Sequence, residues 1–282
     1  MDAKIIVYDV EHGSCCHIIT PNGKHILVDV GSKTDSSIGQ HLNYRYFSGR
    51  GGAIDALIIT HPHEDHIYDL PALIKYLPPK MLWRPQGAFD IVPSNDTPVH
   101  VAIAKSANEI NKSYNQPIEA GTDPTDAVVN GGVEFKMIAP KAEWTTKEDL
   151  NTFSRIIVVT YHGYKFVLTG DNPAPILKEM IRLDHQWIRD IIKDATVLLA
   201  PHHGRTKEFC QEFFDRVNPW LTVVSDKGIE HSTQEETAKL YKGRGVRLNG
   251  EDRYVLTTRN DGTISFDVGA DHCYVNMSKE EY

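Results

Sequence analysis

The chain is 282 residues long, 40% hydrophobic and 24% charged, with a formal net charge of −8. That length can bury a full core in one large domain or two small ones, and the even composition excludes low-complexity and fibrous chains. The acidic balance argues against a protein that grips long duplex nucleic acid through many phosphates, a task for a basic surface, and no apolar run approaches the roughly 18 residues that span a bilayer.

The N-terminus, Met1 to Tyr8, passes straight into a strand-like pattern without a signal-peptide apolar region, so a cytoplasmic location is expected. Cys15, Cys16, Cys210 and Cys273 show no CxxC spacing and are expected to be reduced, mostly buried thiols. Lys4 to Val10, Cys15 to Thr20 and His25 to Val30 read as three short strands, the last two joined by the turn Pro21-Asn22-Gly23-Lys24. A helix over Ser37 to Phe47 follows, and then the short apolar run Ile54 to Thr60. Tyr68 to Leu77 has helical spacing, with Pro71 in its first turn. Gln86 to Pro98 reads as an irregular insertion and Val99 to Ser113 as a helix.

From Val128 the pattern returns to strands. Arg155 to Thr160 and Lys165 to Thr169 flank a hairpin turn at Tyr161-His162-Gly163-Tyr164. A helix over about Pro175 to Ile192 leads to the strand Thr196 to Ala200. The helix Glu208 to Val217, the strand Leu221 to Ser225 and the helix Ser232 to Tyr241 come next. Val255 to Thr258 and Thr263 to Val268 are expected to close the chain as a hairpin across Asn260-Asp261-Gly262. Strands lead each half and helices follow, so the expected architecture is one α/β domain over residues 1–282, two sheets face to face with helices outside.

Three strand ends carry metal-binding residue types. After Ile54–Thr60 comes His61-Pro62-His63-Glu64-Asp65-His66. Residues two apart in an extended loop point the same way, so His61 and His63 can share one cation, while Asp65 and His66, at the start of a helix, can turn toward a second. Imidazole with carboxylate suits zinc, manganese or iron. Leu168-Thr169-Gly170-Asp171 and Pro201-His202-His203-Gly204 end two further strands, and ligands of a two-metal site must converge from separate loops.

Together these motifs resemble the metallo-β-lactamase superfamily, in the branch that includes the hydrolase domain of ComEC-type DNA-uptake proteins. Asp9-Val10-Glu11-His12-Gly13-Ser14, Asp29-Val30-Gly31, Asn151-x-x-Ser154 and Val224-Ser225 before His231 are similar too, so the resemblance covers about residues 4 to 268. It implies a four-layer αββα sandwich. It also implies two divalent ions, Zn2+ or Mn2+: His61 and His63 on the first, Asp65 and His66 on the second, Asp171 between them, and His202 completing the second, with His203 as the alternative. Two departures stand out. The superfamily's usual extra His before the bridging Asp is missing: that interval holds only His100 and His162, and Asn151 or Ser154 occupies the expected place. Glu11-His12 stands where the DNA-uptake proteins usually show Gly-Gln, at the entrance to the site.

The function expected from this pattern is metal-dependent hydrolysis of phosphodiester bonds in a nucleic acid or nucleotide, a nuclease or phosphodiesterase. Hydrolysis of a thioester, lactone or amide is the alternative, since the fold alone does not choose. Asp65 would orient the attacking water, Arg205 would meet an anionic group, and His231 and Ser225 would donate to the leaving group or bind phosphate. No membrane partner is expected.

Overall fold

The computed structural model describes residues 1–92, 97–117, 125–182, 185–227 and 234–279. The first half contains β1 (Ala3–Val7), β2 (Cys16–Ile19), β3 (His25–Val28), α1 (Ile38–Phe47), β4 (Ala56–Ile58), α2 (Glu64–Ile67), α3 (Leu70–Tyr76), β5 (Leu82–Trp83), α4 (Gln86–Phe89) and α5 (Pro98–Ser113). It continues through β6 (Glu134–Ile138), β7 (Ile156–Tyr161), β8 (Tyr164–Leu168), α6 (Ala174–Met180), α7 (Gln186–Ile192), β9 (Val197–Leu199), α8 (Gln211–Val217), β10 (Leu221–Val224) and α9 (Gln234–Leu240). The last elements are β11 (Val246–Leu248), β12 (Glu251–Arg253), β13 (Val255–Thr257), α10 (Thr258–Asp261), β14 (Thr263–Val268) and β15 (Cys273–Ser278).

One sheet has the strand order β15-β14-β1-β2-β3-β4-β5 and the other β13-β10-β9-β8-β7-β6. Side chains of a strand alternate between faces, and in the central strands, such as β1, β7, β9 and β10, both faces are buried, which explains their near-continuous apolar runs. Ile5 and Val7 of β1, with Ile157 and Val159 of β7, fill the space between the sheets. Ile6 packs outward in a cluster with Leu42, Leu73 and Ile103 of the first helical layer, and Ile156 and Val158 pack outward with Leu177, Ile188 and Phe213 of the second. The result is the expected αββα order. The β7–β8 turn uses His162 and Gly163 at φ 47° and 84°, the paired positive values of a type I′ hairpin.

The closing hairpin is not formed. β13 pairs parallel with β10 in one sheet, whereas β14 pairs antiparallel with β1 in the other. Between them Asn260 and Asp261 complete the single turn α10. Thr257 Oγ1 accepts the Asn260 N–H at 3.2 Å, and Asp261 accepts the Thr257 N–H at 2.9 Å while pairing with Arg253. The Asn-Asp-Gly signal is thus a helix stop, with Gly262 at φ 75° as the exit. The helix expected over 175–192 is two, α6 and α7; His185 Nδ1 lies 3.0 Å from the Glu179 carbonyl near the end of the first. The Gln86–Pro98 stretch contains α4, whose Ala88 and Phe89 are buried.

Candidate metal centre

The loop after β4 is anchored from β3. Asp29, left-handed at φ 60°, accepts the Thr60 N–H at 2.8 Å and the Thr60 hydroxyl at 2.8 Å. The same carboxylate lies 2.7 Å from His66 Nδ1. Binding one imidazole nitrogen sets which way the other faces. His66 Nε2 is fully buried, 3.1 Å from Asp171 Oδ1, and lacks hydrogen-bond geometry to any partner among the described residues.

Asp171 follows Gly170, whose φ of 53° turns the chain out of β8. Its N–H donates to Ser154 Oγ at 3.2 Å, and Asn172 donates to the Ser154 and Thr169 carbonyls at 2.9 and 2.7 Å. His202, His203 and Gly204 take φ values of 47°, 54° and 72° after β9. Consecutive left-handed residues without glycine are costly and persist where surrounding contacts hold them. Here Thr237 Oγ1 donates to the Gly204 carbonyl at 2.6 Å, and His203 Nδ1 meets the Ser225 carbonyl at 2.7 Å. His203 Nε2 is thereby aimed at Asp65 Oδ2, 3.0 Å away, and at Asp171 Oδ2, 3.6 Å away.

Asp65, His66, Asp171 and His203 therefore form one group whose ligand atoms all lie within 4.8 Å of one another. His61 and His63 stand beside it: His61 Nε2 is 3.0 Å from His63 Nδ1 and 4.0 Å from Asp171 Oδ2. The structure brings His203 rather than His202 into the four-residue group; His202 Nε2 sits 3.7 Å from Asp171 Oδ2, on the cleft wall. Asn151 lines the cleft with its Oδ1 buried and without a hydrogen-bond partner among the described residues, whereas Ser154 holds the Asp171 backbone. His100 is engaged by Glu64 at 2.5 Å. His231 lies outside the described residues.

The electrostatics fit divalent cations. Burial pushes the Asp65 and Asp171 carboxyls up, but the adjacent imidazoles, His66 first, outweigh it and hold both well below the ordinary carboxylate range. Burial depresses His66, yet Asp171, Asp29 and Asp65 together raise it. Three carboxylates gathered around one buried imidazole, with His203 beside two of them, form a donor set that a cation satisfies.

The centre opens into a cleft of about 680 Å³ lined by His63, Asp65, Asp171, His202, Arg205 and Lys227, among others. Lys227 pairs with Glu11 at 3.4 Å and Lys207 with Glu208 at 3.6 Å. Arg205 makes no ion pair among the described residues. His12, which the sequence placed at the entrance without assigning it a role, also lines the cleft, its Nε2 3.5 Å from Asp65 Oδ2. Burial and the neighbouring His203 lower its pKa.

Comparison with known proteins agrees with this picture. A family model described as the metallo-β-lactamase superfamily matches residues 11–206. The chain is similar to ComE operon protein 3 of Bacillus subtilis, at 21% identity over 281 residues, covering 94% of this chain and 33% of that protein. It thus spans about a third of that relative's length. In fold it is similar to the metallo-β-lactamase fold protein YhfI from Bacillus subtilis, with a TM-score of 0.50 and 13% identity, covering 94% of this chain and 100% of that one. No helix among the described residues is long and apolar enough to cross a membrane.

Proposed function

The chain belongs to the metallo-β-lactamase superfamily of metal-dependent hydrolases, and we propose that it hydrolyses phosphodiester bonds in a nucleotide or a short or single-stranded nucleic acid, using two divalent ions, Zn2+ or Mn2+. His61, His63 and the Asn151 amide oxygen would hold one ion, Asp65, His66 and His203 the other, and Asp171 both. When bound, the ions supply Lewis acidity toward the phosphoryl oxygens and activation of water. A site with one imidazole fewer and an amide oxygen in its place suits manganese better than a full nitrogen set does.

The remaining roles fall to the chain itself. Asp65 lines the cleft and is kept ionised by His66 and His203, so it is an acceptor able to orient an attacking water. Arg205 carries the reading. It follows the His-His-Gly turn directly, lines the cleft, and its guanidinium is not neutralised by a carboxylate among the described residues. A fork of N–H donors at that place matches the oxygens of a phosphodiester. The cleft volume suits a ligand of nucleotide size, and the net charge of −8 disfavours a long duplex.

The test is Arg205→Ala. It should lower kcat/KM for an anionic phosphodiester by about 100-fold, the scale of losing one donor to developing charge, while leaving metal content unchanged. An equal loss on a neutral ester would contradict the phosphate-binding role.

A further inference from the structure

His12 belongs to none of the motifs that place ligands in this centre, yet its position is held from both sides. The Ser14 N–H donates to the Asp65 carbonyl at 3.1 Å, and Ser225 Oγ donates to the Gly13 carbonyl at 2.7 Å. The first partner carries the Asp65 side chain. The second, through its own carbonyl, holds His203 Nδ1 at 2.7 Å. The turn carrying His12 is therefore bonded directly to Asp65 and to Ser225, the residue whose carbonyl holds His203, the side chain that meets Asp65 Oδ2. Glu11, at φ 60°, makes the bend that turns the chain into the site.

The side chain completes the pattern. His12 Nε2 lies 3.5 Å from Asp65 Oδ2, the oxygen that His203 Nε2 approaches to 3.0 Å, and the two imidazole rings are 4.7 Å apart. Ligand atoms that share one ion at about 2.0–2.2 Å stand roughly 3–3.5 Å from one another. The spacing around Asp65 Oδ2 is of that kind, with His12 standing just outside the four residues whose ligand atoms all lie within 4.8 Å of one another. His12 is also half-exposed and on the cleft side, so its approach to the centre is open from solvent.

We propose that His12 is an additional ligand to the ion held by Asp65, His66, Asp171 and His203, so that this chain strengthens one position of its metal pair with an imidazole from the first β-strand loop. The inference rests on the two-metal reading of the site. It makes the Asp65 position the tighter of the two, because the His61 position has, besides the shared Asp171, only two imidazoles and an amide oxygen.

The experiment is a competition titration of Zn2+ against a chromophoric chelator, using the metal-free full chain and its His12→Ala, His12→Gln and Asp171→Asn variants. Thermal melting of each metal-free variant establishes that it is folded. For His12→Ala the tighter Zn2+ step should weaken about 10-fold or more, with the weaker step unchanged, and His12→Gln should fall between. Asp171→Asn should weaken both steps. Unchanged Zn2+ affinity in both His12 variants, with both steps weakened in Asp171→Asn, would overturn the His12 assignment and leave the two-metal reading standing. Tight two-step binding in Asp171→Asn would instead remove the two-metal reading on which the assignment rests.

Discussion

The carbonyl oxygen of Asp65 sits so close to two glycines that a Cβ built at Gly13 or Gly31 would approach it to 2.5 or 2.4 Å. Real Cβ contacts do not become that short, and the obstacle is backbone on both sides, since the Gly31 position also meets Ser14 N at 2.9 Å. Gly31→Ala must therefore displace the metal loop. Overpacking of this kind costs about 1–3 kcal/mol, and the predicted result is a lower urea midpoint of the metal-free protein together with reduced Zn2+ content after dialysis. A variant that keeps both would show that the loop is not set by this contact. Residue types explain why part of the site was legible in the sequence. Imidazoles and carboxylates at strand ends advertise ligand chemistry, so His61, His63, Asp65, His66 and Asp171 stand out. Asp29, Ser154 and Ser225 act by holding backbone groups or a ring nitrogen, and such roles leave no mark in residue type. His202 and His203 are adjacent and chemically identical. Only the left-handed backbone after β9 separates them.

At the level of elements, legibility followed burial. Strands covered on both faces read as continuous apolar runs, and β7 and β8 were found with their turn. β15 was not read, because its alternation sets half-buried Cys273, Val275 and Met277 against exposed Tyr274, Asn276 and Ser278, a weak contrast. The β13–β14 crossing was misread because Asn-Asp-Gly serves a tight turn and a helix stop equally well. The packing of α1 carries a consequence of its own. His17, on the outward face of β2, is fully buried beneath Tyr46 of α1, with its Nε2 3.0 Å from His25 Nδ1. Burial, helped by His25 and His41, holds its pKa well below the ordinary imidazole value. The unfolded chain takes up that proton near pH 6.5 and the folded chain does not. The stability contributed by neutral His17 is therefore complete above about pH 6.5 and is lost as pH falls below it. In the presence of chelator, Tm should fall more steeply between about pH 6.5 and about pH 5 for the wild type than for His17→Leu. Parallel curves would show that His17 is not the group responsible.

At the scale of the whole molecule, two sheets packed face to face bring the ends of β3, β4, β8, β9 and β10 to one edge, where Asp29, the His-rich loop, Asp171, His203 and Ser225 meet. The repeated order of strands then helices foretold the two packed sheets, and their packing is why candidate ligands scattered over more than a hundred residues form one group. Arg205 is an unneutralised cation of the cleft wall among the described residues, and with the chain's net charge of −8 it supports the proposal of a small or single-stranded anionic substrate over extended duplex. The most direct test of phosphodiester hydrolysis is the turnover of the metal-free chain reconstituted with Mn2+ or Zn2+. The substrates are bis(p-nitrophenyl) phosphate, a dinucleotide and a single-stranded oligonucleotide, beside a thioester, a lactone and an amide. Cleavage of the phosphodiesters is expected, with manganese supporting at least as much activity as zinc and chelator abolishing it. Robust thioester or lactone turnover, with no metal-dependent cleavage of any phosphodiester, would contradict the proposed hydrolysis.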